Sequence, residues 1–223
     1  MGRWVAAVVA LAIGAAAGGC VSHAAPAEGP LAASARRHDA LGVSDALEAL
    51  IAEGKEASGD RGFAYDAVRD HEEPTAAYAF ARAAVTGRLV QAHGLTKSLL
   101  LKDAEAWAER SLALDPGFRD RAATRMLGSL YVLAPAALLA HGDSEKGLAL
   151  LEGLVRERPD ILENHLRVAE AYIALGDNVP ATAHLCACLA KKASLRKDDQ
   201  ALLQKLVRDA GLVDCSTEGA PPP

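Results

Sequence analysis

GDSEKGLALLEGLVRERPDILENHLRVAEAYIALGDNVPATAHLCACLA, residues 142–190, decides the fold, because it contains the same pattern twice. Gly142-Asp143 and Gly176-Asp177 lie 34 residues apart, a period that suits a repeating helix–turn–helix unit. After the first Gly-Asp, Leu148, Leu151, Leu154 and Val155 mark one helical face, and Arg158-Pro159-Asp160 interrupts it. Leu166, Ala169, Tyr172 and Leu175 then recur every third residue, and Gly176-Asp177 restarts the pattern with Ala181, Leu185, Cys188 and Leu189. Each unit leaves an apolar stripe that only a neighbouring unit can bury, so the period predicts stacked helix pairs.

Outward from this stretch, composition supports an all-α chain. Of 223 residues, 51% are hydrophobic but only 4% aromatic, so small side chains dominate and let helix axes approach closely. Upstream, helical faces are predicted from Val43 (Leu47, Leu50, Ile51, with Ser44 as N-cap), over Ala76–Val90, over Leu99–Leu114 and over Arg121–Val132. The segment from Asp60 to Pro74 reads as a short helix or a loop. Lys197–Leu212, striped by Leu202, Leu203, Leu206 and Val207, is expected to cap the last exposed apolar face.

The order of residues narrows this. Ala169, Tyr172, Gly176, Asp177, Ala181, Leu185 and Cys188 follow the sequence of the tetratricopeptide family, which the chain resembles. Leu112-Ala113-Leu114-Asp115-Pro116 is similar to that family's usual exit from its second helix. The resemblance implies an α-α superhelix of about three to four helix pairs with a C-terminal capping helix, over residues 42–212. One spacing departs from the pattern. Tyr131 is followed by Gly142-Asp143 after eleven residues instead of four, and Leu133, Pro135, Leu138 and Leu139 fall in the insert. Pro135 should end the helix there, leaving either an apolar loop tucked against its own repeats or a hydrophobic lip at a groove. With Glu163-Asn164-His165-Leu166, this inserted proline loop is similar to the periplasmic T-components associated with TRAP transporters. The similarity spans roughly residues 75–190. It implies a protein partner of the periplasmic solute-binding kind.

At the front, Arg3, the apolar run Trp4–Ala17 and Ala17-Gly18-Gly19 have the order of an export signal over residues 1–19. Cys20 follows directly and resembles the acylated cysteine of a bacterial lipobox, although Ala17 stands where leucine is usual. The expectation is lipidation at Cys20, a membrane contact through the lipid alone, and a periplasm-facing chain. Val21 in place of Asp points to the outer rather than the inner membrane. Residues 20–41 then read as a flexible tether and 213–223 as a disordered tail.

Function classes are bounded by what the residues offer. The net charge of −5 argues against nucleic acid, which needs a concentrated basic face. No catalytic spacing, metal-ligand set or cofactor motif is recognisable, so no enzyme, metal or cofactor is expected. On one helix His184 and Cys188 share a face while Cys186 points away, so these three do not make a metal site. Cys186 or Cys188 could bridge Cys215 in an oxidising compartment, with Cys186 better placed because Cys188 faces the core. Repeat numbering places Arg125, Ser129, Val132, Glu163, Leu166, Glu170 and Ile173 on a concave face for a protein partner. Two rival readings are a transport accessory holding a small apolar ligand under Leu133–Ala140, and an outer-membrane assembly factor. The oligomeric state is not specified by the sequence.

Overall fold

The computed structural model describes residues 28–94, 99–212 and 214–215. The expected leader and lipidated Cys20 therefore lie outside the described residues, as does most of the expected tail. Among the described residues the chain is all-α: α1 Pro30–Arg36, α2 Ala40–Glu53, α3 Asp60–Arg69, α4 Ala76–His93, α5 Leu99–Leu114, α6 Phe118–Leu133, α7 Ser144–Glu157, α8 Leu162–Ala174, α9 Asn178–Ala190 and α10 Lys197–Asp209. No described helix is long and apolar enough to cross a membrane.

Short polar side chains start several helices as the sequence chemistry requires. Thr75 accepts from the Tyr78 N–H at 3.1 Å and Asp143 from the Lys146 N–H at 3.0 Å. Such a cap contributes about 1 kcal/mol. Asp39, not Ser44, caps α2, accepting from Gly42 N–H at 2.8 Å, and Ser44 is buried one turn inside. The Gly-Asp pairs that define the repeat serve different ends. Gly176, at φ +83°, closes α8 in the left-handed conformation, with Asp177 N–H donating to Tyr172 O at 2.9 Å. Gly142 instead allows close approach, since a Cβ there would sit 2.8 Å from Ala136 Cα. The α6–α7 pair is likewise tightest at Gly128 and Gly147: a Cβ on Gly147 would lie 2.8 Å from the Gly128 carbonyl oxygen.

Packing alternates. Each helix packs on its sequence neighbours, and α2, α4, α6, α8 and α10 also pack on one another in succession. From α3 on, the odd-numbered helices touch chiefly their hairpin partners, so they form the outer layer and the even-numbered ones the inner. α10 then returns to pack on α2, and the inner layer closes into a ring. The capping helix thus covers the last pair and also meets the first.

The tether expected over residues 20–41 is corrected for its second half. Pro30–Arg36 is helical, and Leu31, Ala32 and Ser34 are buried. Leu31 packs into the cluster of Val43, Leu47, Tyr65 and Val68. Seven residues with one large apolar side chain show no periodicity, which is why the pattern misses them.

Phe118–Leu133 begins with a left-handed turn, Arg119, Asp120 and Arg121 having φ of 49°, 53° and 61°. For residues with a Cβ this costs roughly 1–2 kcal/mol each. All three side chains are held by ion pairs: Arg119 donates to Asp45 at 2.6 and 2.5 Å, Arg158 to Asp120 at 2.7 Å, and Arg121 to Glu157.

Candidate partner-binding surface

The residues expected on the concave face divide between core and a polar seam. Leu166 is fully buried against α9 and α10, together with Leu185, Leu203 and Leu206, and Ile173 packs on the same cluster. Val132 packs against Leu151 and Leu154 of α7. Leu166 therefore belongs to the core, while Val132 and Ile173 keep part of their surface exposed. Helical spacing placed them on the inner layer, but the even-numbered helices also bury a side against their neighbours.

The polar members are engaged as well. Arg125 donates to Asn164 Oδ1 at 2.5 Å, and buried Asn164 donates onward to the carbonyls of Leu154 and Arg158, both at 3.2 Å. Burial draws the Arg125 pKa down, with the charge of Glu163 opposing it. Glu170 accepts from Arg167 at 2.9 Å, and Arg167 also donates to buried Asp199 of α10 at 2.7 Å. Ser129 and Glu163 are half-buried. α10 thus covers Leu166 and Ile173 and pairs with Arg167, whereas Ser129, Val132 and Glu163 remain partly exposed.

Ring closure has its own ionic centre, which sequence reasoning missed. Glu48 of α2 accepts from Arg88 of α4 at 2.6 Å through each oxygen, and from Arg196 at 2.9 Å. Arg196 also donates to the Glu48 carbonyl at 3.2 Å and to Asp198 at 2.9 Å. Residues 48 and 196 belong to no common local pattern, so no sequence signal announces the contact.

The proline loop lies shut. Leu139 is buried against Leu101, Leu127 and Tyr131. Buried Glu105 of α5 accepts from the N–H of Ala140 at 2.6 Å and of His141 at 2.7 Å. Leu138 is half-buried, while Leu133 and Pro135 are exposed. The expected alternatives, tucked loop or hydrophobic lip, resolve in favour of the first for Leu138 and Leu139.

A shallow polar cleft of about 250 Å³ opens on the outer layer, lined by Glu152, Val155, Arg156, Tyr172 and His184. His165 Nε2 lies 3.0 Å from the Pro159 carbonyl, which only accepts, so His165 carries its proton there. Its Nδ1 then accepts from His184 Nδ1 at 2.9 Å. Burial, with the neighbouring His165, pushes the His184 pKa down to about 4. An unfolded chain protonates this imidazole near 6.5 and the folded one does not until about 4, so stability falls as pH drops through that window. Thermal melts from pH 7 to 4.5 should show a smaller loss for His184→Gln than for the parent; equal slopes would refute this account. Tyr172 donates to Glu152, and burial and that carboxylate push its pKa up to about 12.

Cys186 is bonded to Cys215, and Cys188 is free and buried, with burial pushing its thiol up to about 12.

No family model matches this chain, and no curated protein matches it.

Most of the exposed large apolar side chains lie at one rim. Among the described residues the exposed large apolar side chains are Leu99, Leu114, Leu133, Leu175 and Val179. Leu99, Leu133, Leu175 and Val179 flank turns leading from an even-numbered helix to the next odd one, and in antiparallel pairs those turns share a rim. Leu99 and Val179 are 82% and 84% exposed, and adjacent turns add Ala136 and Ala137, while the α2–α3 turn on the same rim carries the Glu53–Lys55 and Glu56–Arg61 ion pairs. The opposite rim carries the ion pairs of Asp45, Arg119, Asp120, Arg121, Glu157 and Arg158, with only Leu114 among them.

Proposed function

We propose that this chain is a membrane-anchored helical-repeat lipoprotein of the tetratricopeptide kind. In this reading it holds a protein partner on the periplasmic side of the envelope. The exposed apolar rim carries the proposal. A two-layer array of antiparallel hairpins presents broad rigid surfaces, and an apolar strip on one rim facing a charged one is the asymmetry that a docking surface needs. The 34-residue offset between the Gly-Asp turns supports the repeat kind.

The anchor rests on Cys20 after the apolar run and Gly18-Gly19. The α1–α2 turn lies by the end of α3, where His38 and His71 rings are 5.4 Å apart, so Pro30 points toward the apolar rim. By resemblance to the T-components of TRAP transporters, the partner is a periplasmic solute-binding protein. The closed proline loop disfavours a ligand channel beneath Leu133–Ala140.

Cross-linked capture from membranes, quantified by mass spectrometry, tests the reading. Leu133→Asp with Val179→Asp should deplete the captured partner at least tenfold, whereas Asp160→Lys on the charged rim should not. The reverse pattern would overturn the assignment. Cys20→Ser should abolish palmitate labelling and release the protein from membranes; retention would refute the anchor.

A further inference from the structure

Where the proline loop folds back on α5, three potential metal ligands converge from separate parts of the chain. Glu105 and Glu109 stand one turn apart on α5, and His141 arrives at the end of the loop. The His141 Nδ1 lies 3.3 Å from Glu105 Oε1 and 3.2 Å from Glu109 Oε1, and the three donor atoms all lie within 4.8 Å of one another.

These distances discriminate between two explanations. A charge-assisted hydrogen bond between imidazolium and carboxylate closes to about 2.7–2.9 Å. Two ligands each about 2.0–2.2 Å from a tetrahedral ion stand about 3.3–3.5 Å apart, close to the two His141 separations found here. Both carboxylates also aim at one imidazole with no cationic side chain placed between them. Lys146 lies over the Tyr131 ring, 5.0 Å from its centroid.

The surroundings already orient the donors. Glu105 is 1% exposed, and the N–H groups of Ala140 and His141 fix its carboxylate plane. The Tyr131 hydroxyl donates to Glu109 Oε1 at 3.1 Å. Hydrogen bonds of this kind hold metal-bound carboxylates in position. The His141 side chain is 58% exposed, which supplies an entry path and leaves a fourth position open to water.

We propose that Glu105, Glu109 and His141 form a binding site for a divalent transition-metal ion of the zinc type, clipping the 134–142 loop to α5. One imidazole, two carboxylates and water suit zinc. The ion neutralises two converging carboxylates and joins elements that are otherwise tied here by the Glu105 hydrogen bonds. The site shares the α6–α7 loop with the apolar rim but uses none of its exposed apolar side chains, so zinc uptake is read without reference to partner capture.

The test is titration of the chelator-stripped mature protein with zinc against a chromophoric chelator, followed by thermal melts. The parent should take up one equivalent that His141→Ala and Glu109→Gln each lose, with affinity down at least a hundredfold. Both positions are solvent-accessible, so circular dichroism should show the fold unchanged. Tyr131→Phe should weaken uptake roughly tenfold, the usual effect of removing an outer hydrogen bond. Zinc should raise the melting temperature of the parent and not of the two ligand variants. Other histidine pairs on the surface make the loss of one equivalent decisive. Equal uptake by parent, His141→Ala and Glu109→Gln, or no saturable uptake by the parent, overturns the proposal.

Discussion

Severing the Cys186–Cys215 bridge should lower the melting temperature by about 6–16 °C. The bond closes a loop of 29 residues in sequence separation. Chain entropy makes such a closure worth about 3–4 kcal/mol, and a domain of this size loses roughly 2–4 °C for each kcal/mol. The loss should localise to the C-terminal end, because the loop spans α10, whose Leu203 and Leu206 complete a core shared with α8 and α9. Cys186→Ser with Cys215→Ser should therefore speed amide exchange in α10 before it affects α4 or α5. Thiol titration of the denatured, unreduced mature chain should count Cys188 alone. Unchanged melting in the double variant would refute this account.

The other large effect is expected at Glu48. Glu48→Ala leaves Arg88 and Arg196 facing each other with only Asp198 between them. Breaking a buried pair on one side costs about 3–5 kcal/mol, and the partial exposure and the remaining Asp198 reduce that to about 2–4. Melting should fall by on the order of 10 °C, with exchange accelerated at the α2–α10 contact. Arg88→Ala with Glu48→Ala should cost less than the sum of the single changes. Additive losses would mean that the pair is not coupled.

The pH dependence follows from the same carboxyl. Burial raises its pKa, but the hydrogen bond and charge of Arg88, with the charge of Arg196, outweigh burial and hold it below 4.5. Its contribution is complete above that value and disappears as acid carries the folded protein below its lowered pKa.

The parts of the chain legible in sequence were those governed by local period. Leu99–Leu114 has the bounds its apolar spacing gives, and Thr75 starts α4 because a hydroxyl before an apolar run suits the free N–H groups there. α1 was not legible, since one buried leucine makes no stripe. The inner face was misread for a related reason. Repeat numbering says which layer a helix joins, but Leu166 is buried and Ile173 partly covered by a tenth helix that also packs on the first pair. The Glu105, Glu109 and His141 cluster left only a Glu-x-x-x-Glu trace, and the third member comes from an insert that the repeat pattern does not describe.

A tenth helix that latches onto α2 sets the number of hairpins between them. An open stack of repeats lengthens when a unit is duplicated; this one would have to break Glu48 from Arg196 to admit another. A further 34-residue unit would therefore have to displace that contact, whereas length added in a turn would not. The proline-bearing insert between α6 and α7 is one such place, carrying extra residues without touching the α2–α10 contact.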